Sequence, residues 1–170
     1  MADMTTSDVI VVMGVSGSGK SSVGRELAAE TGWDFVEGEQ FLNLADRDAL
    51  RAGTLPDDAH ERWLKTVGEW IDGYEGTGRS AVVTCSALTR HHRDVLREGR
   101  PHVQFCHVTA PKGTLRERVG SEGARHQRDE FAMLEPFGAG ERGVTVATEG
   151  SDYDVCRRAL AALGLDPGHS

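Results

Sequence analysis

The chain has 170 residues, of which 38% are hydrophobic, and 19 lysines and arginines stand against 27 aspartates and glutamates, for a formal net charge of −8. This length predicts one domain, residues 1–170, with a hydrophobic core of its own. No apolar run reaches the roughly 18 residues of a membrane span, and the acidic balance argues against a general nucleic-acid binder. We therefore expect a cytoplasmic protein without a membrane or nucleic-acid partner.

The first strand and the first helix are separated by glycines. Residues 8–13 form a nearly continuous apolar run, as expected of a parallel strand buried on both faces. From Lys20 the apolar residues Val23 and Leu27 follow helical spacing until Gly32, a typical C-terminal cap. Strand, glycine loop and helix are the opening unit of an α/β fold.

Strands and helices alternate along the rest of the chain. Further strands are predicted at 34–36, 80–84, 103–108 and 144–147, and further helices at 58–74, 88–97, 131–134, after Pro111 and after Ser151. Three segments are predicted to be less regular: a helix plus a loop at 40–53, a mobile lid at about 118–130, and a frayed tail at 164–170. The alternation predicts one parallel sheet of about five strands with helices on both faces.

The strongest functional signal is the segment Gly14-Val-Ser-Gly-Ser-Gly-Lys-Ser21, which fits the P-loop pattern GxxxxGK[ST] between a predicted strand and a predicted helix. In such a loop the backbone N–H groups curl around phosphate oxygens, and the next helix directs the positive end of its dipole at the same anion. Lys20 then neutralises the β- and γ-phosphates, and the Ser21 hydroxyl binds Mg²⁺. The motif predicts ATP and Mg²⁺ as cofactors, the alternative being a glycine-rich turn with no ligand. The predicted nucleotide-binding residues of the loop are Gly14, Ser16, Gly17, Ser18, Gly19, Lys20, Ser21 and Ser22.

Other positions separate a kinase from the remaining P-loop classes. No apolar run ends in the aspartate of a Walker B strand, and no NKxD motif typical of a GTPase is present. A small-molecule kinase needs a carboxylate that accepts the proton of the acceptor hydroxyl, and Glu37 and Glu39 follow the second predicted strand. The alternative is that they form a solvated acidic turn. We take Glu39, or else Glu37, as the catalytic base, with Glu39 also a candidate magnesium ligand.

Arginines that follow two later strands are candidates for holding anions. Arg90 and Arg93 are spaced to clamp a carboxylate or phosphate of the acceptor, or else to lie solvated on a helix. Four more flank the lid, where one or two are expected to close onto the transferring phosphate: Arg116, Arg118, Arg125 and Arg128. Of these four, we expect Arg118 and Arg125 to bind the nucleotide.

Cysteine and histidine spacing predicts no metal site. The three cysteines, Cys85, Cys106 and Cys156, are far apart and form no CxxC pair, so we expect three small buried hydrophobic residues. None of the seven histidines belongs to an HExxH motif or has a suitably spaced carboxylate partner. We therefore expect no metal role for the histidines.

Five short segments, spread over nearly the whole chain, carry a family resemblance. They are Met13-Gly-Val-Ser-Gly-Ser-Gly-Lys-Ser21, Glu37-Gly-Glu39, Asp57-Asp58 ahead of Trp63-Leu64, Cys85-Ser-Ala-Leu88 with Arg93-Asp-Val-Leu-Arg-Glu-Gly99, and Phe131-Ala-Met-Leu-Glu-Pro136. In this order they resemble the gluconokinase family of small P-loop kinases. The resemblance implies an adenylate-kinase-like α/β fold, a P-loop NTPase-type three-layer sandwich. It also implies phosphorylation of D-gluconate to 6-phosphogluconate with Mg-ATP, a homodimer, and catalytic roles for Lys20, Glu39 and a substrate-facing Arg93.

The chain departs from the family pattern mainly in the predicted acceptor site. Glu39 stands where the family has aspartate, His60 replaces an arginine, and Thr89 stands where lysine is common. The histidine and proline that usually follow the acidic residue are absent, and the lid at 120–128 is short and lacks a His-Phe motif. These departures leave open a kinase for a different small hydroxylated acceptor, a regulatory ATP-binding module without catalysis, and a nucleoside or nucleotide kinase.

Overall fold

Five parallel strands occupy the middle of the molecule, of which the computed structural model describes residues 7–165. The sheet order is β2-β3-β1-β4-β5. The strands are β1 (Val9–Met13), β2 (Asp34–Glu37), β3 (Ala81–Thr84), β4 (Val103–Thr109) and β5 (Gly143–Ala147). The helices are α1 (Lys20–Thr31), α2 (Leu44–Ala52), α3 (Asp57–Asp72), α4 (Arg90–Arg97), α5 (Lys112–Met133) and α6 (Asp152–Ala162), with a 3₁₀ helix at Gly38–Phe41.

Strand β1 shows why helices cover both faces of the sheet. Its five residues are all buried, and alternate side chains enter two different hydrophobic clusters. Val9, Val11 and Met13 pack with α3 and α4, whereas Ile10 and Val12 pack with α1 and α6. The result is three layers with the sheet in the middle, which confirms the predicted fold class.

One predicted helix and the predicted lid differ from the structure. The segment predicted at 88–97 becomes helical only at Arg90, because Thr89 is the N-cap and its side chain accepts a hydrogen bond from the His92 N–H. The charged stretch at 120–128 is part of α5, in which Gly120 alone has non-helical backbone angles (φ 69°, ψ −172°). The segment described as a lid is therefore a helix that follows a kink, and its mobility stays a prediction.

The end of the described chain is more regular than the predicted frayed tail. The Leu165 N–H donates to the Leu160 carbonyl, and the Leu165 side chain packs against the cluster beneath α6. Residues 166–170 lie outside the described residues. Within 7–165, no helix combines the length and the apolar character needed to span a membrane.

Candidate active site

A cleft of about 760 Å³ opens where the carboxyl ends of β1, β2 and β3 meet. Parallel α/β sheets bind their ligands at this edge, and the volume is in the usual range for a small-molecule site. Lys20, Ser21 and Glu39, which follow β1 and β2, line this cleft together with Thr84 at the end of β3. The fold thus brings the predicted phosphate-binding and proton-accepting groups into one space.

The loop between β1 and α1 has the backbone of an anion cradle. Gly17 and Gly19 have positive φ angles of 82° and 89°, a left-handed conformation that glycine adopts without strain. Gly19 is the N-cap of α1, and no side chain caps that helix, so its first N–H groups are open to a ligand. Lys20 begins α1, which places its ammonium and the helix dipole at the same point.

The polar groups of this loop are only partly satisfied by the protein. The Ser18 hydroxyl is buried and has no hydrogen-bond partner among the described residues. Ser16 and Ser21 line the cleft, and Ser22 lies exposed on the first turn of α1. The Ser18 hydroxyl lies close to Gly14 and does not line the cleft.

The second half of α5 holds the P-loop through the peptide groups of Ser16. The Ser16 N–H donates to Glu130 Oε1 at 2.9 Å, and the Gln127 side chain donates to the Ser16 carbonyl at 2.7 Å. Gln127 and Glu130 are both buried and lie three residues apart on one face of the helix. Sequence reasoning missed both, because they lie more than a hundred positions from the loop that they bond.

The two predicted lid arginines have different positions. Arg118 donates to the Gly17 carbonyl at 3.0 Å and contacts Thr148 Oγ1 at 3.3 Å, so it lies beside the phosphate loop. Arg125 is exposed and does not line the cleft, because the inward face of this helix carries Ala124 and Gln127 instead. The structure gives no support to nucleotide binding by Arg125, whereas Arg118 stays a candidate.

Glu37 and Glu39 both reach the cleft but have different partners. The Glu37 N–H donates to Gln40 Oε1 at 3.2 Å, and Arg25 lies 3.4 Å from the Glu37 carboxylate. Glu39 makes one ion pair, in which Arg51 Nη2 donates to Oε2 at 3.0 Å. Both carboxylates line the cleft, and Glu39 stays the first candidate for a proton acceptor.

A close backbone approach positions Glu39. The Gly38 carbonyl accepts a hydrogen bond of 2.7 Å from the indole of Trp63, which is buried under the cleft. A Cβ atom at Gly38 would collide with the Thr84 carbonyl at the end of β3. Glycine is therefore required at position 38 for the 3₁₀ helix to lie against β3 and present Glu39.

We expect Gly38→Ala to lower kcat more than it weakens ATP binding, because the added methyl group would collide with the Thr84 carbonyl and displace the neighbouring Glu39. Overpacking of this kind costs about 1–3 kcal/mol of stability. The matched control is Gly113→Ala on α5, where a Cβ would meet nothing within 4 Å. Thermal melting and steady-state kinetics of both variants are the measurements, and a Gly38→Ala enzyme with wild-type kcat would contradict the role given to Gly38.

The predicted substrate-facing role of Arg93 does not agree with the structure. Its side chain is fully buried, does not line the cleft, and pairs with Glu141 at 2.8 Å. The remaining guanidinium donors bind four backbone carbonyls, those of Ala87, Leu88, Glu135 and Pro136. Arg93 therefore ties the loop after β3 to the loop before β5, and no donor is left for an acceptor.

Arg90, the other half of the predicted clamp, also points elsewhere. It donates to the Ala139 carbonyl at 3.0 Å and is absent from the cleft wall. The side of α4 that faces the cleft carries Thr89, His91 and His92 instead, and α3 contributes His60. The helical spacing was recognised in the sequence, but the wrong face of α4 was assigned to the acceptor.

The three cysteines are buried, as expected. Cys85 is at the end of β3 under the cleft, and burial raises the pKa of its thiol to about 12. A neutral buried thiol is a packing group and not a nucleophile at neutral pH. Covalent catalysis by Cys85 is therefore no part of the chemistry of this cleft.

The fold and the phosphate loop define the class of P-loop kinases. A family model described as "AAA domain" matches residues 10–135. The gluconokinase of Gluconobacter oxydans is 37% identical over 149 residues, which cover 87% of this chain and 80% of that protein. A sugar kinase from Janibacter sp. superposes with a TM-score of 0.83 at 33% identity, covering 95% of this chain and 97% of the other. A gluconokinase from Sinorhizobium meliloti superposes with a TM-score of 0.80 at 34% identity, covering 92% and 91%.

These similarities extend over the phosphate loop, the segment around Glu39 and the helices that form the cleft. The chain is an ATP-dependent small-molecule kinase. It belongs to the gluconokinase family.

Proposed function

We propose that this enzyme transfers the γ-phosphoryl group of Mg-ATP to a hydroxyl of D-gluconate, giving 6-phosphogluconate and ADP. The observation that carries the proposal is that Lys20 of the phosphate loop and Glu39 of the 3₁₀ helix line one cleft. The similarity to gluconokinases over most of the chain supports gluconate as the acceptor.

The residues have separate tasks in this reaction. The backbone N–H groups of the loop and Lys20 bind the phosphates and stabilise the negative charge that develops during transfer. Glu39 accepts the proton of the acceptor hydroxyl while the oxygen of this hydroxyl forms a bond to the γ-phosphorus. The bond from that phosphorus to the bridging oxygen breaks, and the electron pair leaves with ADP. The loop after β3 and the helix N-termini of α3 and α4 surround the acceptor.

The donor set of the cleft fits a magnesium ion. Ser21 and Glu39 supply hydroxyl and carboxylate oxygens beside the phosphate loop, and Mg²⁺ prefers oxygen ligands. Within 7–165 no group of three or more His, Cys, Asp or Glu residues could hold a metal alone. Mg²⁺ usually binds through one or two protein oxygens plus phosphates and water, so Ser21 would suffice when Glu39 serves as the base. When bound, the ion neutralises phosphate charge.

The proposal also includes a homodimer, as the family resemblance implies, and a cytoplasmic location, as the sequence predicts. It further includes a lid that closes at the second half of α5. Closure over the acceptor would exclude water and so suppress wasteful ATP hydrolysis. Light scattering of the purified protein tests the dimer, for which a monomeric mass at all concentrations would be the negative result.

Acceptor-dependent ADP release with Mg-ATP tests the proposed function. The panel contains D-gluconate, other sugar acids, polyols, hydroxy amino acids and nucleosides, and we expect gluconate to give the highest kcat/KM. Turnover of another acceptor with silence on gluconate would show a kinase of changed specificity. ATP binding with no turnover on any acceptor would instead support a regulatory module.

A further inference from the structure

Two histidines from different helices stack against each other in the wall of the cleft. His60 on α3 and His92 on α4 have ring centroids 4.3 Å apart and planes inclined by 20°. The His60 ring also packs edge-on against the ring of Trp63, with the two ring centroids 5.2 Å apart. Trp63 is buried and donates to the Gly38 carbonyl. This histidine pair therefore joins α3 to α4 in the same cleft as Lys20 and Ser21.

The nitrogens of the histidine pair are not used by the protein. Neither imidazole makes a side-chain hydrogen bond among residues 7–165, and the Nδ1 atoms of His60 and His92 are both buried without a partner. His91, the neighbour on α4, differs because its ring nitrogen lies 2.8 Å from Glu61. The Nδ1 atoms are closed to solvent, so the nitrogens that a molecule in the cleft can reach are the Nε2 atoms, which also have no partner among the described residues.

The histidine pair is uncharged at neutral pH. Burial lowers the pKa of His60, although Asp57 on the same helix opposes this effect. The pKa of His92 is lowered to about 4, mainly by burial. The nearby His60, His91 and Arg93 also lower the pKa, and Glu61 raises it by less. A neutral imidazole presents its Nε2 as a donor in one tautomer and as an acceptor in the other, and a hydroxyl group can pair with either.

We propose that the stacked pair of His60 and His92 is the element that selects a polyhydroxylated acceptor, by hydrogen bonding hydroxyls of its carbon chain. The inference rests on the proposed function, because it assumes that the acceptor enters this end of the cleft. The inference goes beyond the proposed function because it assigns acceptor recognition to uncharged groups that bind hydroxyls, and not to a cation that binds a carboxylate. A site that hydrogen-bonds a substrate hydroxyl strongly rejects analogues that lack this hydroxyl. An apolar site distinguishes similar substrates much less strongly.

The test uses His60→Phe and His92→Phe, which keep an aromatic ring for stacking and remove both nitrogens. We expect each to raise the KM for D-gluconate by about 10-fold, with the KM for ATP unchanged and kcat within about two-fold. His92→Gln, which keeps a donor and an acceptor, should recover part of the loss. His102→Phe is the matched control, since His102 is exposed before β4 and outside the cleft.

A second measurement separates hydroxyl recognition from a structural role. Gluconates that each lack one hydroxyl, other than the one phosphorylated, are compared on the wild type and the two Phe variants. For the wild type, removing the hydroxyl that the histidine contacts should lower kcat/KM by about 10-fold relative to gluconate. For the Phe variant that lacks this contact, kcat/KM should be the same on gluconate and on that analogue. An equal loss in both enzymes, or Phe variants with wild-type KM, would overturn the proposal.

The two hypotheses fail in different ways. If the wild type prefers another acceptor of the panel, gluconate is the wrong substrate, and the same variants are assayed with the preferred acceptor and its deoxy analogues. A raised KM for that acceptor would still support the histidine pair. If no acceptor is turned over, isothermal titration of gluconate into the complex with a non-hydrolysable ATP analogue decides, and equal affinities of wild type and variants would count against the pair.

Discussion

Lys20→Ala is expected to lower kcat by about 10³-fold or more while leaving the fold intact. Lys20 is the first residue of α1 and lines the cleft, so its ammonium is the cation that the helix directs at the phosphates. Alanine is the best helix former, and the Lys20 side chain makes no hydrogen bond or ion pair within the described residues. Acceptor-dependent ADP release at saturating substrates measures the loss, and a thermal melt checks the fold.

Lys65→Ala is the matched control for Lys20→Ala. Lys65 is exposed on α3 and does not line the cleft, so its removal takes away the same charge without touching the site. We expect wild-type kinetics for this control. If Lys20→Ala retained substantial activity, the assignment of the loop as the phosphate site would be wrong.

Arg93→Met is expected to lower the free energy of unfolding by about 3–5 kcal/mol, the usual cost of leaving one member of a buried ion pair alone. Both side chains of the Arg93–Glu141 pair have no exposed area, and the guanidinium also satisfies carbonyls from two loops. Urea unfolding monitored by tryptophan fluorescence measures the change. Arg62→Ala should leave the midpoint nearly unchanged, because the Arg62–Asp58 pair is exposed.

The acid dependence of unfolding provides a second check on the buried pair. Burial opposes ionisation of Glu141, but hydrogen bonds from Arg93 and from the Gly138 N–H outweigh it and hold the pKa of Glu141 below its usual value. Its stabilising contribution is therefore complete above the unfolded pKa and is lost as the pH falls below it. Arg93→Met should remove this part of the acid dependence. An Arg93→Met protein as stable as the wild type would mean that the pair is not coupled as described.

Local patterns were enough to predict the sheet and the phosphate loop. The P-loop is a continuous segment whose glycines, lysine and serine carry the chemistry, and the strand before it is a plain apolar run. Glu39 could be placed because parallel strands end at one edge, which is a rule of topology.

The parts that sequence reasoning missed depend on contacts between distant residues. Gln127 bonds Ser16 across 111 positions, and Arg93 bonds Glu141 across 48. A sequence motif shows that an arginine is present, but it does not show whether the guanidinium N–H groups are already bonded to another loop. The stack of His60 and His92 likewise forms only when α3 and α4 pack, so neither histidine had a recognisable partner in the sequence.

The attachment of Ser16 to α5 makes the phosphate loop and the helix beyond Gly120 one thermodynamic unit. Both polar groups of this residue's backbone are bonded to that helix, so a change in the loop alters the free energy of docking the helix. By linkage, a ligand that strengthens the docking is itself bound more tightly by the same factor. The exchange rate of the Ser16 amide hydrogen therefore reports on the position of a helix more than a hundred residues away in the chain.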